Sequence, residues 1–106
     1  MITNVLFGFF LLLTSPDQAC DIFGSFYEVD DPMEAHYVVF EEGSETFADV
    51  IVFEQKNRLY ADKAGLWYFE EKKANAKHRI YFTDKKREAD FSVYFTRFES
   101  FAGCNL

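Results

Sequence analysis

The segment Ala48–Tyr60, with the sequence ADVIVFEQKNRLY, is the clearest copy of a unit that recurs along most of this 106-residue chain. Each unit opens with an alanine, usually followed by a polar residue, and continues into a short run of β-branched and aromatic residues. The alanines are Ala35, Ala48, Ala61, Ala76, Ala89 and Ala102, so the successive differences are 13, 13, 15, 13 and 13. Self-similarity at a fixed period is typical of a repeat architecture.

The apolar run in each unit is predicted to be a β-strand, because branching at Cβ and aromatic rings suit a pleated backbone. The five runs are Tyr37–Glu42, Val50–Gln55, Gly65–Glu70, His78–Thr83 and Phe91–Thr96. At the centre of each run two apolar residues are adjacent, as Val52 and Phe53 are. Adjacent strand residues point to opposite faces, so the sequence predicts strands packed on both sides.

The segment before each alanine is predicted to form a single helical turn. Asp31-Pro32 has the character of a helix cap followed by proline at the first helical position, and Ser44 and Asp84 are placed to cap later turns. A parallel crossover built on a full helix needs about a dozen residues or more, which these units do not have. We therefore expect one mainly β domain of tandem strand–turn repeats, wound in an uncommon way.

Charge is divided unevenly between the two halves of the chain. Residues 20–54 contain ten acidic residues and no lysine or arginine, whereas residues 55–106 contain eleven basic and seven acidic residues. The halves either present differently charged solvated faces or attract each other, within one chain or by self-association. The formal net charge of −7 argues against a nucleic-acid partner. A patch for an anionic partner could be formed only by Lys72, Lys73, Lys77, Arg79, Lys85, Lys86 and Arg87.

The amino-terminal run Val5–Leu13 is apolar and uncharged, and it is shorter than the roughly 20 residues that span a membrane. Its length suits the apolar region of a secretory signal, which predicts a signal peptide over residues 1–19 and a repeat domain over residues 20–106. A lipid anchor on Cys20 and a buried first element of the domain are the alternatives. Contact with a membrane is expected only through an uncleaved signal or that lipid.

The two cysteines, Cys20 and Cys104, lie at the ends of the predicted domain. In an exported protein they are expected to pair and to close a loop of 104 − 20 = 84 residues. The alternative is two free thiols in a reducing compartment. No Cys-x-x-Cys spacing is present, which argues against a zinc or redox site.

No catalytic motif is found in the sequence, so we predict a protein that is not an enzyme and has no cofactor. His36 and His78 occupy nearby unit positions, but surface histidines explain them better than a metal pair. Five acidic residues could approach a calcium ion without matching a known loop pattern. They are Asp30, Asp31, Glu41, Glu42 and Glu45. The aspartates after the alanines, Asp49, Asp62 and Asp90, are expected to bond to nearby backbone in turns.

From about Cys20 to its end the chain resembles the small bacterial Septknot-like domain family. The resemblance is carried by the repeated Ala-Asp pairs and by an ordered set of short motifs. These motifs are Asp21–Gly24, Tyr27–Asp30, Gly65–Phe69, Ile80–Phe82, Val93–Phe95 and Phe101–Cys104. It departs from the family at His36 and Lys77, which replace the usual aspartate, and at the two extra residues near Lys63-Ala64. The resemblance implies short strands wound into a deep torus knot and implies no biochemical activity.

If the chain is knotted and Cys20 is bonded to Cys104, the knot is covalently closed and cannot untie on unfolding. The sequence therefore predicts a small secreted or periplasmic protein with a resistant fold and a structural or binding role. The alternatives are a binding module that uses the Lys72–Arg87 patch and an enzyme of unrecognised type.

Overall fold

Six parallel strands and one short antiparallel strand form the sheet of this protein, for which a computed structural model describes residues 16–105. The parallel strands are β1 (Gly24–Glu28), β2 (Tyr37–Glu41), β3 (Val50–Glu54), β4 (Leu66–Phe69), β5 (His78–Thr83) and β6 (Phe91–Thr96). The short strand is β7 (Gly103–Cys104). The five predicted runs are therefore strands, with boundaries within one residue of those observed, while β1 was not predicted because no alanine unit introduces it.

The parallel strands close into a barrel. Their order is β4-β1-β5-β2-β6-β3, and β3 pairs again with β4 to complete the ring. Most consecutive strands are therefore not neighbours: β1 and β2 flank β5, and β2 and β3 flank β6. Strands β1, β2 and β3 pass once around the barrel and leave a space after each strand. Strands β4, β5 and β6 then pass around it a second time and fill those spaces, so the strands of the two circuits alternate. The expectation of tandem repeats in an uncommon winding is confirmed.

The barrel interior is filled by three layers of side chains that follow the two-residue period of the strands. The middle layer has one residue from each strand, and every member is 0% exposed. Its members are Phe26, Val39, Val52, Trp67, Ile80 and Val93. Phe26 and Trp67 stack with ring centroids 4.0 Å apart, and Phe91 and Phe95 meet Trp67 edge-on. The equivalent unit positions therefore occupy equivalent environments.

The outer face of the barrel is less covered than the sequence predicts. The aromatic residues that follow the middle layer are only half-buried. They are Tyr27, Phe40, Phe53, Tyr68, Tyr81 and Tyr94. The outward-facing Ser25, Ile51 and Ser92 are nevertheless buried. The prediction of packing on both faces is therefore confirmed only in part.

Each return between strands contains one short 3-10 helix. After η1 (Pro16–Asp21), these are η2 (Pro32–Glu34), η3 (Glu45–Phe47), η4 (Arg58–Tyr60), η5 (Lys73–Asn75), η6 (Lys86–Glu88) and η7 (Glu99–Phe101). Asp31 and Ser44 cap η2 and η3 as predicted, by accepting from the backbone N–H two residues later. The prediction for Asp84 is wrong: Lys85 is the N-cap of η6, and its N–H donates to Thr83.

Two of the aspartates that follow the alanines, Asp49 and Asp90, form hydrogen bonds between the two circuits. Asp90 N–H donates to the Val38 carbonyl at 2.6 Å, and Val38 N–H donates back to Asp90 Oδ2 at 2.7 Å. Asp49 makes the same reciprocal pair with Ser92 at 3.0 Å in both directions. These partners are 52 and 43 residues away, so the expectation of bonds to nearby backbone is wrong.

His36 keeps this arrangement although it is not an aspartate. Its N–H donates to the Arg79 carbonyl at 2.7 Å, and its Nδ1 accepts from Arg79 N–H at 3.0 Å. The imidazole nitrogen therefore replaces the carboxylate oxygen. Lys77 keeps only half of this arrangement: its N–H donates to the carbonyl and the hydroxyl of Ser25, but its side chain has no acceptor for the return bond.

The carboxyl terminus enters the barrel between β3 and β4. Gly103 and Cys104 pair with Ile51 and Val50 of β3. Asn105 then donates through its side chain to the carbonyls of Glu45 and Ala48, both at 2.9 Å. With β7 counted, seven chain segments are arranged around the barrel in two circuits.

Candidate functional site

The structure contains the predicted disulfide between Cys20 and Cys104, whose Cα atoms are 4.8 Å apart. It joins η1, which precedes the first circuit, to β7, which follows the second circuit. The two ends of the double winding are therefore covalently linked. Such a bond is compatible with an oxidising compartment. A sulfur held in a disulfide has no valence left for a thioether-linked lipid, so this structure does not support the alternative of a lipid on Cys20.

The apolar run Val5–Leu13, on which the signal peptide prediction depends, lies outside the described residues. Within residues 16–105, no helix has the length and apolar character needed to cross a membrane.

The basic residues predicted as one patch are divided by acidic neighbours. Lys72 and Lys73 belong to the η5 region and Lys85–Arg87 to η6, while Lys77 and Arg79 lie at the start of β5. Lys73 pairs with Glu34 of η2, and Lys86 pairs with Glu42, the residue that follows β2. The anionic-partner hypothesis stays a prediction, and these ion pairs weaken it.

The same ion pairs join the acidic first half of the chain to the basic second half. Glu34 and Glu42 belong to the first circuit, and Lys73 and Lys86 belong to the second. Because strands of the two circuits alternate around the barrel, acidic segments lie beside basic ones within a single molecule.

The residues considered for metal binding do not converge. His36 is held by Arg79 N–H, and His78 Nε2 lies 3.2 Å from the Phe23 carbonyl oxygen. The five acidic residues considered for calcium are spread over the β1–η2 connection, the end of β2 and η3. In the described part of the chain, no group of three or more His, Cys, Asp or Glu is arranged to hold a metal ion.

A cavity that sequence reasoning missed opens at the carboxyl ends of the barrel strands. Its volume is about 550 Å³. It is lined by Tyr27, Glu28, Glu41, Glu54, Phe69, Glu70, Phe82 and Phe95. The phenylalanines are half-buried against the barrel core, whereas Glu28, Glu41 and Glu54 are exposed. We call this cavity the carboxyl-end cup.

Part of the signal for the cup was visible in the sequence. Phe82 and Phe95 occupy the unit position that Glu41 and Glu54 occupy in earlier repeats. The sequence does not indicate that these units are neighbours, because that follows only from the interleaving of the two circuits.

The barrel, the double circuit and the closing disulfide together define a knotted repeat domain. Winding seven segments twice around one axis is the path of a torus knot with seven crossings. The chain belongs to the 7(1) septoil knot domain family, whose model matches residues 19–105. The family resemblance noted from the repeats is thereby confirmed. Comparison with curated proteins and with solved structures found no match.

Proposed function

We propose that this protein is an exported, non-catalytic septoil knot domain that acts in the cell envelope or the extracellular space. Its role is structural or is based on binding, and its main property is a fold that resists unfolding. The observation that carries the proposal is the Cys20–Cys104 bond, which joins the two ends of the matched region.

The bond contributes to stability in a way that suits an oxidising compartment. It closes a loop of 84 residues, for which the chain-entropy model gives a stabilisation of about 4–5 kcal/mol. Disulfides of this kind persist in secreted and periplasmic proteins and are rare in the cytosol. A cytosolic protein would gain little from it.

The lining of the carboxyl-end cup combines aromatic rings with glutamate carboxylates. Carboxylates can act as nucleophiles or as general acids and bases, and they can equally bind a ligand. No catalytic motif accompanies them in the sequence, so we propose a binding role and no reaction.

The proposal is tested by expressing the full chain in a secretion-competent host and measuring the intact mass of the exported protein without reductant. We expect a chain cleaved near Cys20, without lipid and without titratable thiols. The Cys20→Ser/Cys104→Ser variant, exported in parallel, is the control for the mass change on oxidation. Two titratable thiols, or retention of the unprocessed chain in the cytoplasm, would contradict the proposal.

A further inference from the structure

The carboxyl-end cup has an alternating lining that results from the interleaved circuits. Each first-circuit strand places a glutamate there, and each second-circuit strand places a phenylalanine. In ring order the residues are Glu28, Phe82, Glu41, Phe95, Glu54 and Phe69. The strand order therefore surrounds an aromatic centre with three evenly distributed carboxylates.

The aromatic centre is continuous with the barrel core. Phe95 lies 6.2 Å from both Phe69 and Phe82, measured between ring centroids. Trp67, which is fully buried, lies 6.2 Å below Phe95 and fixes its position. The phenyl rings are thus held in place before any ligand arrives, which lowers the entropic cost of binding.

Within the part of the chain that the structure describes, the three exposed carboxylates around this centre form no ion pair. Among residues 16–105, the ion pairs involve Glu34, Glu42, Glu70 and Glu88, and none involves Glu28, Glu41 or Glu54. Glu70 at the same cavity is paired with Arg58 at 3.3 Å. Within the described part of the chain, three carboxylates without an ion pair therefore line the rim of a concave aromatic surface.

We propose that the carboxyl-end cup binds a small organic cation of the quaternary ammonium class. A diffuse cation with methyl substituents gains from aromatic faces and from the nearby negative charge at once. A hard metal ion requires converging oxygen ligands, whereas here a phenyl ring separates each carboxylate from the next. A neutral apolar ligand would make the contacts with the phenyl rings but would gain nothing from the carboxylates.

The inference does not depend on export, so it is tested on the purified oxidised chain. Tetramethylammonium and choline are titrated in low salt while the phenylalanine ring signals are followed by NMR. The neutral comparison is 3,3-dimethylbutan-1-ol, which has the shape of choline without its charge. We expect saturable shifts of Phe69, Phe82 and Phe95 with both cations, and binding of the alcohol about tenfold weaker.

Matched variants separate local charge from overall charge. Glu54→Gln removes one carboxylate of the cup and should weaken binding of tetramethylammonium about threefold to fivefold. Glu45→Gln, on exposed η3, changes the net charge equally and should leave binding unchanged. Amide spectra that superimpose on that of the wild type show that both variants fold.

Three results would overturn the inference. They are an absence of ring shifts at 100 mM cation, equal affinity for choline and its neutral counterpart, and equal effects of Glu54→Gln and Glu45→Gln. The first excludes the site, the second excludes recognition of charge, and the third reduces the effect to the net charge of the molecule.

Discussion

Gly65 lies in the one unit that is 15 residues long instead of 13, and at this position the backbone leaves no room for a side chain. It has a φ of +82°, and an added Cβ would lie 2.4 Å from the Gly103 nitrogen and 2.7 Å from the Ile51 carbonyl oxygen. These are backbone atoms of β7 and β3, which cannot move aside as a flexible side chain can. The extra residues before β4 let the chain pass around β7.

Substitution of Gly65 by alanine should therefore be strongly destabilising. We expect Gly65→Ala to lower the free energy of unfolding by at least about 2 kcal/mol, from backbone strain and overpacking together. Denaturant unfolding followed through Trp67 fluorescence measures this loss. Gly43→Ala is the control, because nothing lies within 4 Å of its added Cβ. Similar midpoints for the two variants would show that β7 does not press against Gly65.

His78 makes the stability of the fold depend on pH. Its ring packs 4.9 Å from Phe26 and 5.8 Å from Tyr37 at the amino end of the barrel interior. Burial lowers the pKa of His78 below 6.5, and the positive charge of Lys77 lowers it further, against the opposing effect of the Phe23 carbonyl. The unfolded chain therefore binds a proton at a pH at which folded His78 remains neutral.

The consequence is a loss of stability on acidification. The contribution of neutral His78 is fully present above the unfolded pKa of 6.5 and decreases as the pH falls below it. An NMR titration should place the His78 inflection below 6.5, and His78→Gln should remove part of the fall in the denaturation midpoint between about pH 7.5 and 5.5. An inflection above 6.5, or the same fall in wild type and variant, would contradict the assignment.

At the scale of elements, the reciprocal bonds of the aspartates connect strands of different circuits. Asp90→Ala removes the acceptor for Val38 N–H at the junction of β6 and β2. We expect a loss of about 1 kcal/mol in the free energy of unfolding, since the site is exposed and water partly replaces the carboxylate. Asp62→Ala is the matched control, because exposed Asp62 has the same unit position but lies in the lengthened unit before β4. Equal losses at the two positions would mean that the aspartate acts locally.

The elements were largely predictable, because local chemistry determines them. β-branched residues and aromatic rings predicted five strands, and short polar side chains predicted the caps of η2 and η3. The prediction for Asp84 failed because the N-cap of η6 is Lys85, one residue later, whose side chain has no acceptor for the capping bond. The role of Asp49 and Asp90 was not predictable, since their partners are set by strand order and not by sequence distance.

At the scale of the whole molecule, the winding could be derived only in part. The short returns excluded a helix crossover and indicated an uncommon path, and the family resemblance supplied the knot. Residue spacing did not indicate that β5 fills the gap between β1 and β2. The carboxyl-end cup was missed for the same reason, because Glu41 and Phe82 become neighbours only when the second circuit enters the first.

The covalent closure of the winding should be visible in refolding kinetics. When Cys20 and Cys104 are bonded, an unfolded chain is still a closed loop and keeps its topology. Apart from the phase that proline isomerisation adds, refolding of the oxidised protein should therefore have a rate and an amplitude that do not depend on the time spent in denaturant. The reduced protein, or Cys20→Ser/Cys104→Ser, should develop a slower phase that grows with that time as chains untie.

Isomerisation at proline can be separated from this effect. The peptide bond before Pro32 isomerises over tens of seconds in both the oxidised and the reduced chain, so it adds the same slow phase to each. The difference between the two states at long delays then measures rethreading alone. If the oxidised and the reduced protein refold with identical kinetics after every time in denaturant, the disulfide does not retain a knot. The chain would then reach its double circuit without passing one of its ends through a loop.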